Sequence, residues 1–185
     1  MIRSFVAIEI SQNIKRNLGK IISKLSVTNA EVKWVRPANM HITLKFLGSI
    51  DECDVPEICN MLKDAAVDVE PFDLEIGGLG AFPDIKKPKV VFINIVDQSK
   101  TLLTLYEMVE ERLANFGIKR ESRRFTPHLT IGRVRSQKNL KTLIDLIDNN
   151  KKVFAGGLLV ESIDLMMSEL LPEGPEHRKL GTIDL

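Results

Sequence analysis

The sequence has few of the features that mark a disulfide-stapled or membrane-spanning protein. Its two cysteines, Cys53 and Cys59, are too far apart for a CxxC pair and too few for a disulfide scaffold. Its purely apolar runs are only a few residues long, whereas a helix needs roughly 20 apolar residues to cross a bilayer. The opening residues alternate and include Glu9, which favours a strand over a signal peptide. These absences predict a chain without a membrane span in a reducing, cytoplasmic compartment.

A strong excess of one charge is also missing. Lys and Arg number 26 against 25 Asp and Glu, so the net charge of +1 does not by itself indicate a nucleic-acid partner. Hydrophobic residues make up 44% and charged residues 28%, a composition typical of globular proteins. The length of 185 residues predicts one domain, or two small lobes that share a core.

Hydrophobic periodicity predicts a chain of alternating strands and helices. Strands are expected over 3–10, 33–35, 41–47, 72–76, 90–96, 125–134, 153–160, 162–169 and 179–184. Helices are expected after Ser11 and Asp54, over 99–116, and near 140–147. The glycines at 77, 78 and 80 are expected in a loop. This mixture, with short connections, predicts an α+β fold.

The predicted elements repeat. The order helix, short strand, strand, helix, strand starts once near Ser11 and again near Ser99, and a similar strand precedes each copy. The pattern predicts a single domain over 1–185, with copies at about 11–96 and 99–170 and terminal strands that complete two lobes. We expect antiparallel sheets flanked by helices, related by a pseudo-two-fold axis and facing each other across a central cleft.

Two of the three histidines begin matching tetrads, His41-Ile-Thr-Leu and His128-Leu-Thr-Ile. Threonine is about 4% of the chain, so this match is a coincidence of roughly one in a thousand. Residues i and i+2 of a strand point to the same face. His41 therefore shares a face with Thr43, and His128 with Thr130, while the intervening apolar residues are buried.

Two such pairs across a cleft would supply two imidazoles and two hydroxyls. One imidazole can give a proton while the other takes one, and the hydroxyls can donate to an anion between them. This combination suits in-line displacement at phosphorus without a metal. A single histidine on a strand is more often a residue that only packs against its neighbours. His41 and His128 lie at equivalent positions of the two repeats, which argues against a purely structural role for both.

The flanks of the tetrads resemble the two signature motifs of the 2H phosphoesterase superfamily. They read His41-Ile-Thr-Leu-Lys-Phe-Leu-Gly48 and Arg124-Phe-Thr-Pro-His128-Leu-Thr-Ile-Gly-Arg133. Within that superfamily the chain is similar to the RNA 2′,3′-cyclic phosphodiesterases, also called 2′-5′ RNA ligases. The resemblance covers nearly the whole chain and includes Phe5, Trp34-Val35 and the segments 80–83 and 88–92.

The resemblance implies an enzyme that opens a 2′,3′-cyclic phosphate at an RNA end to a 2′-phosphomonoester, with reversible 2′-5′ ligation as a further activity. It implies a role in RNA processing, including that of tRNA. The expected partners are RNA ends or cyclic nucleotides, with no membrane, no cofactor and no required metal. The expected oligomeric state is a monomer.

The resemblance also implies residue roles. His41 corresponds to the general acid that protonates the departing 3′-oxygen, and His128 to the base that activates water. Thr43 and Thr130 would hold the phosphate, and Arg133 matches the family's basic residue after the second motif. Strict alternation aims Arg133 away from His128. We therefore expect Gly132 to let the strand end or bulge and so turn Arg133 toward the phosphate.

Basic residues are concentrated around the second motif. Between 117 and 135 only Glu121 is acidic, and the basic residues are Lys119, Arg120, Arg123, Arg124, Arg133 and Arg135. Lys86, Lys87 and Lys89 form a second cluster. Each cluster is either a solvated face or a surface that steers an RNA backbone.

Aromatic residues near the motifs fit either base stacking or core packing. Phe46 and Phe125 could stack a base, although parity places Phe46 opposite His41 and favours core packing. Trp34 either lines the groove or covers the core. His177 has no companion threonine and is expected to be exposed.

Two other functions fit parts of the sequence. One is a non-catalytic nucleotide- or RNA-binding module that uses the same cleft, although binding alone does not require two imidazoles. The other is a zinc hydrolase that uses His41, His128 and His177, although no HExxH motif or Cys/His cluster is present. The glycines between 77 and 80 fit neither GxGxxG nor a P-loop, so no dinucleotide or ATP site is expected.

Overall fold

The predicted strands and helices form in the computed structural model, which describes residues 1–172 and 174–185. The strands are β1 (Ile2–Glu9), β2 (Val32–Trp34), β3 (His41–Ile50), β4 (Phe72–Phe82), β5 (Val90–Val96), β6 (His128–Val134), β7 (Phe154–Val160), β8 (Ser162–Leu171) and β9 (Gly174–Asp184). The helices are α1 (Gln12–Ser26), α2 (Val55–Ala66), α3 (Thr101–Asn115) and α4 (Leu140–Asn149).

The helices begin where the sequence predicts. The Ser11 hydroxyl accepts a hydrogen bond from the Ile14 N–H at 3.3 Å and so caps α1. Asp54 occupies the cap position of α2 without a side-chain capping bond, and Pro56 lies in the first turn. The apolar stripes of all four helices are buried in one continuous hydrophobic core.

The strands form two antiparallel sheets. The first sheet has the order β3-β1-β8-β9, and the second has the order β2-β6-β5-β4-β7. Helices α2 and α3 pack against β9 and β3 of the first sheet, and α1 and α4 pack against β7 and β4 of the second. The expected α+β class, with antiparallel sheets flanked by helices, is confirmed. Each sheet takes strands from both halves of the chain, so the limits of the proposed repeats are not the limits of the sheets.

The two sheets meet where β3 contacts β6. These are the two strands that carry the His-x-Thr tetrads, so the topology brings both tetrads to the middle of the molecule. No helix in the described residues is long and apolar enough to span a membrane. Cys53 and Cys59 are both free thiols.

The expected loop at the three glycines is instead part of β4, which continues to Phe82. The prediction of a loop was wrong because it relied on the low strand propensity of glycine. In β4 the missing side chain of Gly80 lets the ring of Phe92 approach the backbone. A Cβ at Gly80 would lie 2.5 Å from the ring of Phe92, its partner on β5. Strand β9 also begins at Gly174, five residues earlier than expected, and pairs with β8 along its length.

Candidate active site

The tetrads lie on β3 and β6 with the alternation that the sequence predicts. Ile42 and Leu129 are fully buried in the core, while His41 and His128 are half-buried. Thr43 and Thr130 follow on the same faces as their histidines and are also half-buried. No partner within the described residues takes up either threonine hydroxyl.

Both imidazoles are oriented by the same backbone contact. Nδ1 of His41 lies 2.8 Å from the carbonyl oxygen of Asn39, and Nδ1 of His128 lies 2.7 Å from that of Thr126. A carbonyl oxygen only accepts, so each Nδ1 carries the proton and donates it. In the neutral ring the lone pair is therefore on Nε2. Sequence reasoning did not find this contact, although the partner is two residues before the histidine in both motifs.

Aromatic rings support both histidines. The His41 ring stacks on Phe5 with centroids 4.7 Å apart. The His128 ring meets Phe82 edge-on at 5.0 Å and Phe92 at 5.5 Å. The Phe92 ring occupies the space that Gly80 leaves open, so this glycine contributes to the position of His128.

His177 is not the exposed residue that the sequence predicted. It is half-buried and its ring meets that of His41 edge-on at 5.3 Å. The early start of β9 explains the error, because the longer hairpin places His177 opposite Ser168 on β8. The side chain of Asn39 donates to the carbonyl of Pro175 at 2.7 Å and ties this hairpin to the residue that orients His41.

These surroundings make His41 a weak base. Burial, together with the nearby His177, lowers its pKa to about 4, while the Asn39 carbonyl opposes the shift. Burial also lowers the pKa of His177. In the free protein at neutral pH, both rings are therefore uncharged.

A β-bulge places Arg133 beside the second tetrad. Thr130 pairs with Phe92 and Gly132 pairs with Val91, so Ile131 is an extra residue in β6. The bulge reverses the alternation, and the exposed Arg133 lies on the same face as His128. The expected bulge is thus present, one residue before Gly132.

Gly132 has a separate packing role. A Cβ at this position would lie 2.7 Å from the ring of Trp34, which pairs with it on β2. Trp34 therefore covers the face of β6 opposite His128.

A matching bulge corrects the expectation for Phe46. Thr43 pairs with Ala7 and Lys45 with Val6, so Leu44 is the extra residue in β3. Phe46 therefore lies on the face of His41, where it is 66% exposed with its ring 6.1 Å from Phe5. The prediction of core packing was wrong because simple alternation does not include the bulge. Phe46 occupies in the first sheet the place that Arg133 has in the second.

The same bulge turns Lys45 into the core, where it connects the first motif with α3 and the segment after it. Its Nζ lies 2.7 Å from a carboxylate oxygen of Glu110 on α3 and 3.0 Å from the carbonyl of Lys119. The other Glu110 oxygen accepts the N–H of Glu121 at 3.1 Å. Sequence reasoning missed this network, although a glutamate on the buried stripe of α3 is a signal that a cation lies opposite.

His41, His128 and His177 do not form a metal-binding group. His41 and His177 are neighbours, but His128 is on the other sheet. Among residues 1–172 and 174–185, no group of three or more His, Cys, Asp or Glu side chains could hold a metal ion.

The fold and sequence together define a known family. A family model described as the 2′-5′ RNA ligase superfamily matches residues 16–169, and the chain belongs to this family. Curated proteins named RNA 2′,3′-cyclic phosphodiesterase are similar to the chain over nearly its full length. That of Methanothermobacter thermautotrophicus is 33% identical over 184 residues, covering 100% of this chain and 99% of the relative. That of Methanocaldococcus jannaschii is 35% identical over 173 residues, covering 94% and 95%.

Solved structures share the fold. TT0787 of Thermus thermophilus has a TM-score of 0.79 at 24% identity, covering 100% of this chain and 98% of that one. Escherichia coli LigT complexed with 3′-AMP has a TM-score of 0.78 at 20% identity, with the same coverage. The family and fold that the motifs indicated are confirmed.

Proposed function

We propose that this protein hydrolyses 2′,3′-cyclic phosphate ends of RNA to 2′-phosphomonoesters without a metal ion. The names of the curated archaeal and bacterial relatives support the reaction class. The observation that carries the mechanism is the pair of half-buried imidazoles on β3 and β6, each tied to a backbone carbonyl through Nδ1. That contact leaves one Nε2 per ring for proton transfer.

In this reaction His128 Nε2 takes a proton from water as the water oxygen bonds to phosphorus. The bond from phosphorus to the 3′-oxygen breaks, and His41 Nε2 gives a proton to that oxygen. The product keeps its phosphate on the 2′-oxygen. Thr43 and Thr130 donate hydroxyl hydrogen bonds to the phosphate oxygens, and Arg133 binds the charge that develops there.

The low pKa of His41 makes its protonation depend on the substrate. At neutral pH the free protein holds this ring neutral, so it cannot yet act as an acid. A phosphate anion within a few ångströms favours the imidazolium and raises the pKa. Substrate binding therefore prepares the acid that the reaction needs.

The same site supports 2′-5′ ligation. In that case the 5′-hydroxyl of a second RNA replaces water, and His128 takes its proton. The 3′-oxygen leaves with a proton from His41, as in hydrolysis. In the reverse direction the two histidines exchange their roles.

The test is hydrolysis of a short RNA that ends in a 2′,3′-cyclic phosphate, in excess EDTA, with the 2′- and 3′-phosphate products separated. We expect the 2′-phosphate, and we expect His41→Ala and His128→Ala each to lower the rate by roughly 10²–10⁴-fold because each removes a proton-transfer group. A His128→Ala variant as fast as wild type would contradict the mechanism. Activity lost in EDTA and restored by zinc would contradict metal independence.

The alternative function is a non-catalytic RNA-binding module with the same cleft. It predicts that the wild-type protein binds this RNA tightly and releases no product. The two oriented imidazoles favour the enzyme, because binding alone does not require two proton-transfer groups.

A further inference from the structure

A groove lies beside the segment that leads into His128. Its volume is about 600 Å³, and it is bounded by α3, the end of β5 and the segment 120–127, which we call the basic segment. Arg120, Arg123 and Arg124 line it together with the aromatic residues Tyr106 and Phe125. The two rings are stacked in parallel with centroids 4.0 Å apart.

The groove is connected to the second tetrad through the backbone. Pro127 lines the groove and is the residue before His128. Thr126, one residue earlier, supplies the carbonyl that accepts from His128 Nδ1. The wall of the groove and the support of the histidine are therefore the same short stretch of chain, so a ligand in the groove lies beside the second tetrad.

Buried contacts hold the start of the basic segment in place. The ion pair of Lys45 with Glu110 is almost fully buried, and these two side chains bind the backbone at Lys119 and Glu121. The Glu121 carboxylate in turn accepts the N–H groups of Ser122 and Arg123. The backbone that carries Arg120 and Arg123 is thus fixed before any ligand binds, which lowers the entropy cost of binding.

The charges in the groove favour an anion. Lys45 neutralises Glu110, and the Asp97 carboxylate is occupied by the Leu102 N–H and the Ser99 hydroxyl. The other acidic residues that line the groove are Asp97, Glu107 and Glu121, and the basic ones are Lys100, Arg120, Arg123 and Arg124, so the lining keeps a small net positive charge. Arginine binds phosphate through paired N–H groups, and an aromatic face beside it can stack a base.

We propose that this groove binds single-stranded RNA on the 5′ side of the cyclic phosphate. The proposal rests on the proposed function, in which the cyclic phosphate is the 3′ end of a strand whose remainder must leave the cleft. The arginines hold phosphates of the preceding nucleotides, and Phe125 contacts a base. The groove therefore makes an RNA end a better substrate than a cyclic mononucleotide.

The test compares two substrates and two double variants. The substrates are a ten-nucleotide RNA with a 2′,3′-cyclic phosphate and a 2′,3′-cyclic mononucleotide. The variant R120Q/R123Q removes two charges from the groove, and the matched control K20Q/K24Q removes two exposed charges from α1. We expect R120Q/R123Q to lower kcat/KM for the RNA about ten-fold more than for the mononucleotide, because exposed charge pairs contribute up to about 1 kcal/mol each.

The salt dependence gives an independent readout. Each lost phosphate contact lowers the slope of log affinity against log salt by about 0.7 for a single strand, so the double variant should lose about 1.4. The control should keep the slope and both rates of the wild type. If R120Q/R123Q lowered kcat/KM equally for both substrates, or left kcat/KM for the RNA unchanged, the proposal that the groove binds RNA would be overturned.

Binding separates this proposal from the proposed function. The affinity of a ten-nucleotide RNA ending in a 3′-phosphate can be measured by fluorescence anisotropy without turnover. If the wild type hydrolyses neither substrate, the proposed function fails, while weaker RNA binding by R120Q/R123Q than by K20Q/K24Q still supports the groove. Equal affinities of the two variants, or polyglutamate bound as tightly as RNA, would overturn it.

Discussion

Two histidines with the same backbone contact have different surroundings. His41 is stacked on Phe5 and flanked by His177, whereas His128 meets two phenylalanine edges. The matching carbonyl contacts fix the same tautomer in both rings, and burial makes His41 slow to take a second proton. For His41 the result is a ring that stays neutral until an anion is nearby.

A titration of His41 tests this conclusion. Burial holds its pKa near 4 in the free protein, and we expect a nucleoside 2′-phosphate to raise it. His177→Asn should raise it as well, because it removes a like charge and part of the burial. Because the pKa is below the unfolded value of about 6.5, the unfolded chain binds more protons between these pH values. His41 therefore makes the free energy of unfolding decrease as the pH falls from about 6.5 toward about 4.

NMR of the imidazole nitrogens measures both effects. A free protein in which His41 titrates near its ordinary value of about 6.5 would contradict the role of burial. An unchanged pKa in the complex with the 2′-phosphate would contradict the coupling to substrate.

Phe46 offers a test with a close control. Its ring lies on the same face of β3 as His41 and is 66% exposed. We expect it to stack the base next to the cyclic phosphate. Stacking on an aromatic ring contributes about 1–3 kcal/mol, so Phe46→Ala should raise KM for the RNA roughly 5- to 150-fold. The free energy of unfolding should change by less than about 0.5 kcal/mol, because the side chain is on the surface.

The control for Phe46 is Phe154→Ala on β7, where the ring is 64% exposed. It removes the same surface at a distance from the tetrads and should leave KM unchanged. An equal KM in Phe46→Ala and wild type would show that the base lies elsewhere.

At the scale of elements, the two bulges separate what the sequence could predict from what it could not. His41, His128 and the threonines follow from alternation, which depends only on neighbours along the chain. Phe46 and the orientation of Lys45 depend on one extra residue in β3, which is defined only by pairing with β1. The bulge in β6 was predicted because Gly132 precedes a family arginine, while Leu44 has no such marker.

The same limit applies to contacts between elements. The position of His177 depends on where β9 begins, and the first residues of that strand, Gly174 and Pro175, are ones that rarely mark a strand. The pairing of Lys45 with Glu110 joins residues 65 positions apart, which one sequence without relatives does not reveal.

The Lys45–Glu110 pair predicts a non-additive effect on stability. Lys45→Met or Glu110→Met alone leaves a buried charge without a partner and should lower the free energy of unfolding by about 3–5 kcal/mol. The double variant should lose much less than the sum, since no charge is then left buried. Urea unfolding followed by circular dichroism measures these values.

The exposed pair of Lys151 with Asp148 supplies the control for this cycle. Lys151→Met should change the free energy of unfolding by no more than about 1 kcal/mol, because solvent screens the pair. If the double variant lost as much free energy of unfolding as the two single variants together, Lys45 and Glu110 would not be coupled.

At the scale of the whole molecule, the exchange of strands joins the two halves of the chain. The first sheet needs β8 and β9 to complete it, and the second needs β4 and β5 from the first half. Neither sheet can form from one half alone, so the lobes should fold as one cooperative unit.

Unfolding by urea tests this cooperativity with a natural probe. The single tryptophan, Trp34, is on β2 of the second sheet, so its fluorescence follows one sheet, whereas circular dichroism follows the whole chain. We expect the two signals to change at the same urea concentration with the same slope. Two separate transitions would show that the lobes are independent domains.

In the proposed reaction, His41 with Thr43 and His128 with Thr130 offer the phosphate the same kinds of group from two different sheets. The two sides differ in the residue just past each bulge, a phenyl ring at Phe46 and a guanidinium at Arg133, and in His177, which lies beside His41. In the proposed reaction, a nucleotide bound in the reversed orientation would therefore place its base beside Arg133 and its phosphate charge beside Phe46. The choice between the 2′- and the 3′-phosphate as product then depends on Phe46 and Arg133, and regiochemistry can be altered by mutation without removing either proton-transfer group.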